Sequence, residues 1–127
     1  AMRLRRTAPA AKLAFEQVHG FPPMKVLLTN TKVPRSTKKL VARVRDLHDR
    51  LPDITTKVFE GISLIADKVL ELTSTAVDGG NLASICALVS MNHKLLGSLG
   101  VSAPELEEVC ALSAGLGFHT KLTGAGG

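Results

Sequence analysis

Apolar residues return every three or four positions through most of the chain. Leu40 is followed by Val44, Leu47 and Leu51, at spacings of 4, 3 and 4, with arginine and aspartate on the intervening positions. That period predicts an amphipathic helix, and Ser36 stands where an N-cap is needed. Pro52 interrupts the pattern and Asp53 opens a longer helix, with the stripe Ile54, Val58, Ile62, Ile65, Val69, Leu72. Asp78-Gly79-Gly80-Asn81 reads as a loop, with Asn81 capping a third helix that carries Leu82, Ile85, Val89, Leu96 and Leu99. Gly100 suits the end of that helix, because glycine takes the left-handed backbone that closes a C-terminus. Ser102 and Glu105 have the spacing of a capping box for a fourth helix, with Leu106, Val109 and Cys110 inward and Gly115 and Gly117 at its end.

Two stretches break the helical period. Met24–Thr29, "MKVLLT", is a continuous apolar run in part β-branched, as a short buried strand would be. Phe118–Leu122 alternates Phe118, Thr120 and Leu122 with His119 and Lys121, as a half-buried strand would. Residues 3–19 look weakly helical after Pro9, and Gly20-Phe21-Pro22-Pro23 breaks them off. The expected fold is α+β: mostly helical, about four helices, with short strands near each end. Two strands make a poor sheet by themselves, so the pattern asks for further pairing partners. The 127 residues suffice for one small core, and no internal repeat is present.

Composition narrows this picture. There are four Phe and no Trp or Tyr, so the core has to be aliphatic. No apolar run reaches the roughly 20 residues of a membrane span, and the basic start has no apolar stretch behind it to make a signal peptide. Cys86 and Cys110 lie among apolar neighbours and read as reduced core thiols, which points to an intracellular, cytoplasmic protein. The net charge of +5 is lopsided: residues 1–50 hold 12 Lys and Arg against 3 acids, the remainder 4 against 8. A basic first part draws phosphate-bearing or other anionic partners, without separating ATP from RNA.

Candidate chemistry concentrates at three places. In "TNTKVPRSTKKL" (Thr29–Leu40) Arg35 follows a rigid proline and precedes a helix N-terminus, where free N–H groups favour an anion; Thr37 adds a hydroxyl in the first turn. The bland alternative is a solvated turn whose Ser36 only caps a helix. "KLTGAGG" (Lys121–Gly127) runs into glycines that let backbone approach phosphate oxygens, although it is neither a Walker motif nor G-x-G-x-x-G. A plain chain terminus is the alternative. In "SMNHKLLGSLGV" (Ser90–Val101) Asn92 shares the apolar stripe and is expected to be buried and hydrogen-bonded, while His93, about 100° round the helix, is expected at the surface. The four histidines show no metal-ligand spacing, and no catalytic base, Ser-His-Asp order or carboxylate pair stands out.

Together the stretches "KVLLTNTKVPRSTKKLVARV", "MNHKLLGSLGVSAPELEEVC" and "GFHTKLTGAGG" resemble the mevalonate kinase family, within the superfamily of galactokinase, homoserine kinase and phosphomevalonate kinase. The resemblance runs from about Phe21 to Gly127, and residues 1–20 do not share it. It implies part of the C-terminal lobe of a two-lobed kinase. It also implies transfer of the ATP γ-phosphoryl, with magnesium, to the 5-hydroxyl of mevalonate in isoprenoid and sterol synthesis. Arg35 and Thr37 then match the mevalonate side, and Thr123, Gly124, Ala125, Gly126 and Gly127 lie near the nucleotide phosphates. The family's N-terminal lobe, catalytic lysine, ATP loop and catalytic aspartate have no counterpart here, so these 127 residues alone are expected to be inactive and to hold neither ATP nor Mg tightly. Exposed strand edges would favour self-association, a homodimer included. The rival is a non-catalytic basic helical domain binding nucleic acid or a protein; the scarcity of aromatics and of any nucleic-acid motif argues against nucleic acid.

Overall fold

In the computed structural model, the described residues are 2–5, 14–18, 23–74 and 78–124. They form a mostly helical segment. A short antiparallel hairpin pairs β1 (Met2–Arg5) with β2 (Ala14–Gln17), Met2 opposite Gln17. Four helices follow: α1 (Thr37–Arg50), α2 (Pro52–Ser74), α3 (Gly79–Ser98) and α4 (Pro104–Gly115).

The helix ends follow their local chemistry. Ser36 caps α1, its hydroxyl accepting the Lys39 amide. Pro52 starts α2 directly after the Leu51 cap, since a proline in the first turn forfeits no helical hydrogen bond. Gly100 (φ 73°) and Gly117 (φ 81°) take the left-handed backbone just beyond α3 and α4.

Several expectations need correction. Neither Met24–Thr29 nor Phe118–Leu122 is a strand; both run extended and unpaired among the described residues. A strand needs a neighbour to take its N–H and C=O groups, and none of the described elements lies alongside. Val26, Leu27 and Leu28 are therefore exposed rather than buried. The weak helix expected over residues 3–19 is instead the β1–β2 hairpin where those residues are described. The cap of α3 is Asp78, not Asn81: the Asp78 carboxylate accepts the Asn81 amide at 2.8 Å, and Gly79 and Gly80 lie inside the first turn. The capping box at Ser102 and Glu105 does not form. Ala103 is the N-cap of α4 and offers no side-chain bond, while Ser102 turns its hydroxyl to Glu107.

Helix α2 is the central element, packed against α1 on one side and α3 on the other. The α2–α3 approach is close at Gly61, where a Cβ would lie 3.4 Å from Leu95 Cδ1. Of the predicted α2 stripe, Val58, Ile62, Ile65, Val69 and Leu72 are half-buried but Ile54 is exposed; Thr55 is buried in its place. Thr55 and Thr73 each return their hydroxyl to a carbonyl four residues back, Leu51 and Val69, both at 2.8 Å. That bond removes the desolvation cost of a buried hydroxyl. The buried apolar residues among those described are Ile85 near the start of α3, Leu99 at its end, Leu106 of α4 and Leu122 of the final stretch.

Candidate functional site

The basic turn is built by its own short polar residues. Asn30 Oδ1 accepts the amide of Lys32 at 2.8 Å, and Thr31 Oγ1 accepts that of Val33 at 3.4 Å. Such Asx and Thr turns let Lys32 hold φ 57°, a region that non-glycine residues seldom occupy. Pro34 then delivers Arg35 half-buried against the α3–α4 turn. Its Nη2 donates to the carbonyls of Val101 (2.9 Å) and Ser102 (3.4 Å). Arg43, two turns along α1, donates from Nη1 to Gly100 O at 3.3 Å. Two cations thus meet the carbonyl end of α3, where the helix dipole favours positive charge. The second amino group of Arg35, Nη1, is buried and has no acceptor. A charged donor left in that state is costly.

A polar chain continues from this turn. The Ser102 hydroxyl donates to Glu107 Oε1, and the same carboxylate oxygen lies 3.2 Å from His93 Nε2. That contact is close but poorly aligned, so Nε2 counts as a buried atom without a proper hydrogen bond. On the other side of the ring, Nδ1 accepts the backbone amide of Leu122 at 3.3 Å. An accepting Nδ1 fixes the neutral tautomer, with its proton on Nε2 toward Glu107.

The stretch 119–122 is tied down along its length. His119 Nδ1 is hydrogen-bonded to Ser90 Oγ of α3 at 2.8 Å. The Thr120 hydroxyl donates to Ser113 Oγ at 2.7 Å, and Ser113 donates on to Cys110 O, both within α4. Leu122 is buried, 4% exposed. Burial lowers the Lys121 pKa below the ordinary lysine value, and Lys121 Nζ donates to Leu122 O at 2.9 Å. Burial, and after it the Glu107 carboxylate, push the Cys110 thiol up. Both cysteines are free and half-buried. Beyond Leu122 the backbone emerges: Thr123 and Gly124 are exposed, and Gly124 has φ 61° with open space where a Cβ would stand.

The predicted site residues therefore divide. Arg35 sits in a built environment, whereas Thr37 is exposed at the first position of α1 with no described side-chain partner. Thr123 and Gly124 are presented at the end of an anchored stretch. Ala125, Gly126 and Gly127 lie outside the described residues. Two expectations on α3 need correction: the Asn92 side chain is only half-buried and has no hydrogen-bond partner among the described residues, while His93 is not at the surface but 6% exposed and bonded. Sequence reasoning missed His93 because the apolar stripe of α3 marks its contact with α2. The second contact, with α4 and the final stretch, lies one residue round the helix. No group of three His, Cys, Asp or Glu side chains among the described residues could hold a metal ion. A surface depression of about 400 Å³ lies along α1 beside Lys38, Arg45 and Asp49, apart from these groups. No helix among the described residues is long and apolar enough to cross a membrane.

What these features define is a mostly helical segment in which a basic turn, a helix–helix corner and the approach to a glycine-rich end share one polar seam. Over most of its length the chain is homologous to mevalonate kinase, of which it is a segment. It is 43% identical to the mouse mevalonate kinase over 112 residues, which cover 85% of this chain and 28% of that protein. It is 37% identical to the Candida albicans mevalonate kinase over 125 residues, covering 97% of this chain and 29% of that protein. The Saccharomyces cerevisiae mevalonate kinase is 38% identical over 127 residues, covering 89% of this chain and 29% of that protein. The chain thus spans less than a third of the length of these relatives. No protein-family model matches it.

Proposed function

We propose that this segment serves an ATP-dependent kinase that phosphorylates the 5-hydroxyl of mevalonate, with Arg35 and Thr37 on the mevalonate side and Thr123 to Gly127 beside the nucleotide phosphates. The observation that carries the reading is the buried, acceptor-less Nη1 of Arg35, beside the N-terminus of α1. Nη2 is held by two carbonyls, which leaves the guanidinium oriented and one donor unsatisfied. A carboxylate brought to this turn supplies the missing acceptor, and a charge-assisted bond of that kind is about twice as strong as a neutral one. Thr37, exposed one turn away, adds a hydroxyl. The relatives' shared name supplies the substrate, and the resemblance of "TNTKVPRST" and "KLTGAGG" to that family supplies the assignment of sides.

In this reading residues 21–127 belong to the C-terminal lobe, residues 1–20 stand apart from it, and the reaction needs ATP, magnesium and a further lobe. The 127-residue chain does not catalyse alone. The rival, a basic domain that binds nucleic acid, is weakened because Arg35 and Arg43 are engaged with carbonyls and Arg50 with Asp46 (2.8 Å), while Lys38, Lys39 and Arg45 remain exposed. Substitution of Arg35 and Thr37 in the complete kinase tests the reading: the mevalonate KM responds more than the ATP KM, and Thr37→Val is the milder change. Equal effects on both substrates would refute the assignment of sides.

A further inference from the structure

We propose that His93, leaning on Glu107, is a positioning residue for the glycine-rich end: it holds the Leu122 amide and thereby fixes the backbone that presents Thr123 and Gly124. The proposal rests on the reading that this end lies beside the nucleotide phosphates.

The geometry is specific. Leu122 is the last buried residue before the exposed pair Thr123 and Gly124. Its amide donates to a side chain on α3, 29 residues earlier in the sequence. That side chain is an imidazole 6% exposed, so the ring is enclosed by its neighbours. On its other side the ring's Nε2 lies 3.2 Å from Glu107 Oε1 of α4, near but not aligned as a hydrogen bond, and Glu107 accepts from the Ser102 hydroxyl. Ser102 also gives its carbonyl to Arg35. One chain of contacts thus runs from the basic turn to the glycine approach. A leucine or phenylalanine in place of His93 would fill the space equally well, so packing does not explain an imidazole at a buried position. An acceptor for the Leu122 amide does.

A backbone that cradles phosphate works by aiming its N–H groups, and an error of about 1 Å in such a frame weakens binding markedly. Holding the residue just before the cradle by a side chain from a packed helix is an economical way to set that aim. The three ties upstream, at His119 and Thr120, act on the other end of the same stretch and do not fix Leu122.

The test pairs two substitutions. His93→Phe keeps a ring of similar size and offers neither acceptor nor donor. His93→Gln keeps one of each and cannot take up a proton. In this 127-residue chain, amide exchange at Leu122 is expected to speed up about tenfold in His93→Phe, as for loss of one hydrogen bond, and to return near the starting rate in His93→Gln. Amides in α1 and α2 stay unchanged, which separates loosening from general unfolding. In the complete kinase, His93→Phe raises the ATP KM about tenfold and leaves the mevalonate KM within twofold; His93→Gln recovers most of the loss. If His93→Phe leaves Leu122 exchange unchanged, the hydrogen bond does not hold the backbone and the proposal fails. If exchange rises but neither KM moves, the positioning role is overturned. If the mevalonate KM moves instead, positioning stands and the nucleotide assignment of the glycine end is the part that is wrong.

Discussion

Arg35 donates from Nη2 to the carbonyl of Val101 at 2.9 Å, across 66 residues of sequence. This bond joins the turn before α1 to the turn between α3 and α4. It makes the orientation of the guanidinium a property of the tertiary fold rather than of the turn alone. The remaining amino group, Nη1, is buried with no acceptor among the described residues.

The same corner depends on Gly100. Its φ of 73° is left-handed, and a Cβ there would meet Arg43 Nε at 3.3 Å. Gly100→Ala is expected to destabilise the chain by roughly 1–2 kcal/mol from the backbone alone, and to displace Arg43 as well. Thermal unfolding checks the first effect. An unchanged melting temperature would show that the turn can adopt another backbone.

Thr55 closes the corner between α1 and α2. Its hydroxyl donates to Leu51 O at 2.8 Å and lies 2.7 Å from His48 Nδ1. The His48 ring also meets Phe59 at 6.0 Å between centroids. Thr55→Val preserves shape and removes both bonds, at a cost of about 1–3 kcal/mol, while Thr55→Ser costs less. Denaturant unfolding of the two variants should separate them; equal stability would mean the hydroxyl contributes nothing.

Much of this frame is legible in the residues. Ser36, Pro52, Gly100 and Gly117 mark their helix boundaries because caps and breakers act locally. What failed depends on neighbours. "MKVLLT" has strand composition, yet Leu27 is 90% exposed because composition does not supply a pairing partner. The choice between Asp78 and Asn81 as cap could be decided only by which side chain reaches an amide three residues on. His93 went unread because a helix touching two neighbours has two buried faces, and the apolar stripe reports one. Arg35 stood out in the sequence as a candidate beside a helix start, but its tether to Val101 was not legible, because nothing local encodes a contact 66 residues away.

Cys110 gives a pH test. Burial, then Glu107, raise its thiol pKa, so the folded state holds the proton more tightly than the unfolded state. The resulting stabilisation is fully present below the ordinary thiol range and is lost as pH rises through it toward the raised value. Unfolding midpoints should therefore fall on going alkaline, and the fall should be smaller in Cys110→Ala. Identical slopes for the two proteins would remove Cys110 from the account. Alkylation of Cys110 near pH 8 should also be slower than that of a free cysteine.

The chain by itself is expected to release no ADP from ATP in a mevalonate-dependent manner. Phosphoryl transfer depends on charge placed around the phosphate, and no three His, Cys, Asp or Glu side chains cluster as a metal site among the described residues. A coupled ADP assay on the pure 127-residue protein checks this. Turnover that requires mevalonate would show that the segment carries a complete site.

The central claim, that Arg35 meets the mevalonate carboxylate, is tested most directly by steady-state kinetics of Arg35→Ala and Arg35→Lys in the complete kinase. Loss of one charge-assisted bond corresponds to about 1.5–3 kcal/mol, so Arg35→Ala should lower kcat/KM for mevalonate roughly ten- to a hundredfold. The ATP KM should change little. Arg35→Lys should recover only part of the loss, because an ammonium cannot bond the Val101 carbonyl and an incoming carboxylate in the same fixed plane. If Arg35→Ala leaves kcat and the mevalonate KM unchanged, Arg35 only ties α1 to the α3–α4 turn, and the account is contradicted.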